Sequence, residues 1–175
     1  MLFSQVRECG RQGSIARAVS GAPYERHNQS SMDEERKRQR SQSLREAHRE
    51  LLQLIETMKP QLIPSALQRD ANQARALLSM LAGKLTVHLA MEDHALYPRL
   101  ATHSNQDVRK LAEQLKQEMG GIAAMFKDYV ARWPTAESIQ ADSSGFVNKT
   151  RQIFAALEAR IALEDAQIFP KLDEY

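Results

Sequence analysis

Residues 88 to 100 read His-Leu-Ala-Met-Glu-Asp-His-Ala-Leu-Tyr-Pro-Arg-Leu, and residues 160 to 172 read Arg-Ile-Ala-Leu-Glu-Asp-Ala-Gln-Ile-Phe-Pro-Lys-Leu. The two stretches match by identity or close substitution almost throughout, so one segment occurs twice in the chain. The difference that matters is His88 against Arg160. On a helix, His88 and Glu92 stand four residues apart and project from one face, an imidazole and a carboxylate aimed at the same point. The second copy keeps the carboxylate, Glu164, but carries a permanent cation where the first has its imidazole.

Working outward from these copies, apolar periodicity predicts four long helices. The first runs from about Met32 to Met58 and stops at Lys59-Pro60, because the residue before proline is pushed out of helical geometry. Its seam is Leu44, Ala47, Leu51, Ile55 and Met58, with His48 inside it. The second starts between Ser65 and Gln73, ends near Tyr97-Pro98, and carries Leu77, Leu81, Leu85, His88, Glu92 and Ala95 on one stripe. The third follows the cap signals Ser104-Asn105 and reaches Trp133-Pro134, with Leu115, Met119 and Phe126 on its seam. After a polar connection the fourth opens near Ser143-Ser144 and aligns Phe146, Ile153, Leu157, Arg160, Glu164 and Ile168. No strand-like alternation stands out, and the expected fold is all-α, an up-down-up-down four-helix bundle.

Composition agrees with one bundle domain. The 175 residues are 42% hydrophobic with only 6% aromatic and few glycines. Charges nearly balance at a formal +2, and residues 1–31 hold that excess, with Arg7, Arg11, Arg17 and Arg26 against Glu8 and Glu25. Those residues are rich in Arg, Ser and Gly and lack helical periodicity. They read as a disordered N-terminal extension, or as sequence upstream of the natural start, ahead of a bundle spanning residues 32–175 that opens at the Ser31 to Glu34 capping box. A transit peptide shares that composition. The neutral remainder gives no basis for nucleic-acid binding, and no apolar run is long enough for a membrane span or a secretory signal. Cys9 is the only cysteine, which excludes an internal disulfide and fits a reducing, cytoplasmic setting.

The same helical wheels place His48, His88, Glu92, Met119, Arg160 and Glu164 on core-facing stripes. Charged side chains seldom sit inside a small bundle unless they are paired or bind a metal. Taken alone, His48 reads first as a half-buried histidine satisfied by a backbone carbonyl or a water rather than as a ligand. The His88-Glu92 pair, and the Glu-Asp followed by an aromatic-Pro step in both copies, point more strongly to a metal site.

The motif His-x-x-x-Glu-Asp-x-x-Leu-Tyr-Pro at His88 to Pro98, echoed from Arg160 to Pro170, resembles the hemerythrin-like cation-binding family, also called the HHE domain. The resemblance covers about residues 40–175. It implies a four-helix bundle holding two non-haem irons between bridging carboxylates and histidines from all four helices. By position it implies His48 as the first-helix ligand, His88 and Glu92 as the second-helix pair, and Glu164 as the bridging carboxylate of the fourth. Members of the family bind oxygen, sense oxygen or iron, or protect against nitric oxide and oxidative stress.

Two ligand positions depart from that pattern. Where the third helix of the family usually offers Glu-His, this chain has Glu118-Met119, and where the fourth usually offers histidine it has Arg160. A thioether is a soft ligand poorly matched to ferric iron, and arginine cannot ligate. His48, His88, Glu92 and Glu164 then remain, enough for one metal but thin for two, so iron is expected to be substoichiometric or absent. Arg160 can pair with the carboxylates in place of a metal, or its charged end can reach out to solvent.

Other features are weaker. His94 falls about 200° from Glu92 on an ideal helix and faces away; His103 lies in a turn and His27 in the extension. Gly120-Gly121 in the middle of the third helix needs a reason, either close approach of a neighbouring helix or a pocket beside Met119. Met80, Met91, Met119 and Met125 read as core fillers. Nothing resembles a nucleophile with its base, a phosphate-binding glycine loop or a zinc ribbon, and the chain is not expected to be an enzyme. Two functions stay open: a hemerythrin-like protein with an altered metal site handling or sensing iron, oxygen or nitric oxide, or a metal-free bundle acting as a regulatory or protein-interaction module.

Overall fold

The computed structural model describes residues 23–174, which are almost wholly helical, with no strand among the described residues. Helix α1, Pro23–Met58, is 36 residues long. It begins earlier than the capping signal at Ser31 suggests, at a proline whose fixed φ and missing N–H suit a first turn. Ser31 therefore lies inside the helix, and residues 1–22 of the expected extension lie outside the described residues. The other end is where Pro60 puts it, with a 3₁₀ turn, Lys59–Gln61, following Met58.

After the short helix α2, Pro64–Leu67, comes α3, Asn72–Met91, which continues through a widened turn, Glu92–Leu96, into α4, Tyr97–Leu100. Helix α5, Gln106–Arg132, opens on Asn105, whose side chain accepts the Asp107 N–H at 2.8 Å. The connection expected to be merely polar contains a helix of its own, α6, Ala136–Ala141. Thr135 and Ser138 cap it reciprocally, an arrangement equivalent to a capping box. Helix α7, Ser143–Leu163, is capped by Asp142, passes through a second widened turn, Glu164–Ile168, and ends in α8, Phe169–Glu174. No described helix is long and apolar enough to cross a membrane.

Both widened turns are π turns, in which the N–H of Tyr97 bonds to the carbonyl of Glu92 and that of Phe169 to the carbonyl of Glu164. Their cause is Pro98 and Pro170: a proline inside a helix offers no N–H, and its ring crowds the carbonyl four residues back, so the preceding turn widens by one residue. That extra residue changes which side chains face inward. Ala95, expected on the inner stripe, is exposed, while Leu96 and Tyr97 are buried.

The apolar core is split in two. A larger cluster includes Leu51, Leu81, Phe126, Phe146 and Leu157, and a smaller one includes Leu44, Leu96, Leu115, Ile168 and Phe169. Each such buried side chain contributes roughly 1.5–3 kcal/mol. Along every long helix the residues between the two clusters are the exceptional ones: His48 between Leu44 and Leu51, His88 and Glu92 between Leu85 and Leu96, Met119 between Leu115 and Phe126, Arg160 and Glu164 between Leu157 and Ile168. The bundle is thus two apolar cores separated by one polar layer.

Gly120 and Gly121 have neither of the expected explanations. Both are exposed, and a Cβ at either would meet nothing within 4 Å. Replacing each by Ala should therefore raise stability by about 1 kcal/mol through helix propensity alone, measurable as a higher urea midpoint. Of the methionines, Met119 is buried as expected, whereas Met80 and Met125 are exposed rather than filling the core.

Candidate metal centre

Four helical segments deliver the polar layer. His48 comes from α1 and His88 from the end of α3, while Glu92 and Glu164 sit at the first positions of the two π turns. All four are buried, at 1%, 2%, 0% and 0% exposure. One potential ligand atom from each lies within 4.8 Å of all the others. Donors at about 2.1 Å around one tetrahedral ion stand roughly 3.4 Å apart, so the widest separation in the cluster must close by about 1.4 Å to hold a single metal.

The contacts inside the cluster bring acceptors together without enough donors. His48 Nε2 lies 3.2 Å from His88 Nε2 and 3.2 Å from Glu164 Oε2, and His88 Nε2 lies 3.3 Å from Glu92 Oε1. Both oxygens of Glu92 and Oε2 of Glu164 are buried without a well-directed hydrogen bond among the described residues, with the His88 and His48 imidazoles beside them. Leaving a buried carboxylate oxygen unpaired is costly, and a cation at the centre satisfies all of these atoms at once. The donor set fits a metal.

Sequence reasoning missed Asp165, Phe169 and Tyr97 as parts of the site. His48 Nδ1 donates to Asp165 Oδ1 at 2.9 Å, which leaves the Nε2 lone pair turned inward, the usual carboxylate–imidazole–metal arrangement. Phe169 stacks on the same imidazole at 4.9 Å between ring centroids. The only sequence signal for these residues was the Glu-Asp and aromatic-Pro repeat itself. His94 and His103 stand apart from the cluster: His94 is exposed and donates to the Ala90 carbonyl, and His103 accepts the Asn105 N–H.

Arg160 is 5% exposed and does not reach out to solvent. Its Nε donates to Glu164 Oε1 and its Nη2 to the Tyr97 hydroxyl, while Nη1 stands 3.9 Å from Glu118 Oε2. The Tyr97 hydroxyl also points to Glu164 Oε1, at 3.5 Å. The guanidinium thus serves Glu164, and Glu92 is left with the His88 imidazole, 3.3 Å from Oε1.

These surroundings move the carboxylates in opposite directions. Burial raises the pKa of Glu164, but the His48 hydrogen bond and the Arg160 charge outweigh it and hold the group below its usual 4.5. Burial dominates at Glu92 and, with repulsion from Glu164, keeps it above 4.5 despite His88. At His48 burial disfavours the charged ring, yet Glu164 and Asp165 overcome it and raise the pKa above 6.5.

The signs then combine. Glu164 contributes stability above pH 4.5 that is lost as pH falls through its depressed value. His48 contributes below 6.5 and loses its contribution as pH rises through its raised value, and ionising Glu92 above 4.5 costs stability. Metal-free protein should be most stable between pH 4.5 and 6.5 and weaken toward alkaline pH. Thermal melting across that range checks this, and a melting temperature that climbs steadily from acid through neutral pH would contradict it.

The model of the hemerythrin HHE cation-binding domain matches residues 33–172 of this chain. The chain belongs to that family. No curated protein and no solved structure matches it significantly. Within this hemerythrin-like domain His48, His88, Glu92 and Glu164 form the buried cluster, Asp165 holds His48, and Arg160 and Tyr97 lie beside Glu164.

Proposed function

We propose that this hemerythrin-like chain holds one non-haem iron ion on His48, His88, Glu92 and Glu164 and uses it to sense or handle iron, oxygen or nitric oxide. The Arg160 guanidinium, paired with Glu164, is read as standing in for the second ion that the family resemblance implies. The observation that carries this reading is how Glu164 divides its oxygens: Oε1 is taken by Arg160 while Oε2 turns to His48, as a carboxylate bridging two cations would. Two carboxylates against one guanidinium leave a negative charge in a dry layer, and a divalent ion neutralises it. Two imidazoles with two carboxylates suit iron among the transition metals. Bound iron would supply a redox-active centre able to take a diatomic ligand. Asp165 and Phe169 fix the His48 ring, and Arg160 with Tyr97 holds the outer oxygen of Glu164.

Anaerobic ferrous titration with elemental analysis tests the reading. One iron per chain is expected, and His88→Ala should weaken binding by more than the 10–100-fold typical of losing an outer-shell partner. Two irons in the unaltered protein, or none, would sink it. The metal-free alternative, a regulatory or protein-interaction module, draws on the same Arg160–Glu164 pair. It predicts no bound ion and no rise in melting temperature when iron is added.

A further inference from the structure

A cleft of about 470 Å³ opens between α1 and α3, lined by Ser43, Glu46 and Glu50 on one side and Gly83, Lys84 and His88 on the other. Its wall is open at Gly83, where a Cβ would meet nothing within 4 Å. His88 borders it although the residue is only 2% exposed. Nε2 of that ring is turned to His48 and Glu92, while Nδ1 is buried and without a hydrogen-bond partner among the described residues.

That vacancy matters because a metal-binding imidazole nearly always gives its other ring N–H to a carboxylate, a carbonyl or a water. His48 has Asp165 for this purpose, whereas Nδ1 of His88 has no such partner among the described residues. Across the mouth, Lys84 Nζ donates to Glu50 Oε2 at 2.7 Å, linking the two helices. A pair between such exposed side chains is worth under about 1 kcal/mol, so it opens readily.

We infer that this cleft is the way by which a hydrated divalent cation reaches the cluster. Glu46 and Glu50 receive it at the mouth, and His88 is the first ligand it meets. The inference rests on the metal-binding reading above. The space suffices, since six waters at about 30 Å³ each take roughly 180 Å³. Glu50 exchanges Lys84 for an ion of higher charge as the clasp opens. A second cleft, between α4 and α5, reaches Tyr97 rather than a ligand, and its walls carry two cations, Arg109 and Lys116, against one acid, Glu113.

Stopped-flow mixing of the metal-free protein with Co²⁺, followed by the visible absorption of the bound ion, tests the route. Gly83→Phe fills the mouth and should slow loading at least tenfold while reaching the same final absorbance. Lys84→Glu removes the clasp and adds an acid, and should speed loading severalfold at low salt, with the gain fading as salt is raised. Lys116→Phe, in the other cleft, should load at the unaltered rate. A Gly83→Phe protein that loads fully at the unaltered rate overturns the route while leaving the site standing. If that variant loses absorbance, the Lys84→Glu rate decides, and no acceleration there overturns the route. No Co²⁺ signal in the unaltered protein overturns the metal site itself and the route with it.

Discussion

Replacing Arg160 by Ala is expected to lower the stability of the metal-free protein by about 3–5 kcal/mol, the range for removing one partner of a buried ion pair. Arg160 and Glu164 have side chains 4% and 0% exposed, so no solvent can take over the role of the guanidinium. The loss should appear as a fall in melting temperature of roughly 6–20 °C for a chain of this size. Arg160→Lys should recover only part of it, because an ammonium cannot serve Glu164 and Tyr97 with the fixed geometry of Nε and Nη2. Combining Arg160→Ala with Glu164→Gln should recover more, since the stranded charge is gone. An Arg160→Ala protein without bound metal that melts where the parent does would show that the pair contributes nothing.

Substituting His for both Met119 and Arg160 is expected to raise iron content from one ion per chain to two. Met119 is buried in the polar layer, between the same apolar residues of α5 that flank the layer on the other helices. Removing the guanidinium releases Glu164 Oε1, and Glu92 already has an oxygen to spare. Two carboxylates and the new imidazoles then supply a second ion with hard and borderline ligands in place of a thioether and a cation. Elemental analysis counts the ions, and a near-ultraviolet band should appear after anaerobic iron loading and exposure to air. A double variant that still binds one iron would place the obstacle elsewhere in the layer.

Much of the site was legible before any coordinates. Spacing of four put His88 and Glu92 on one helix face, and the second copy located Glu164. The apolar seams put His48 and Arg160 in the interior, where both are found. The termini set by Pro60, Asn105 and Pro134 were also legible, because a proline or a cap acts within a few residues of itself. Helix α6 was missed since its six residues are too few to show a period, and the start of α1 was misread because a capping box inside a helix looks like one at its end.

The sequence alone determined the class of fold and the layer of polar residues, since both follow from local periodicity and residue chemistry. Only the tertiary structure decided how the layer is wired. A helical wheel assumes a constant turn, so it carried Ala95 inward, whereas the π turn ahead of Pro98 adds a residue and brings in Leu96 and Tyr97. The partnership of His48 with Asp165 spans 117 positions and depends on how α1 packs against the second π turn. Nor could spacing say which carboxylate Arg160 would take: a guanidinium on α7 reaches Glu164 one turn along its own helix and Tyr97 across the bundle. The oxygens of Glu92 are left on the side of His88, and that packing is the physical reason four ligand-type side chains converge in the layer.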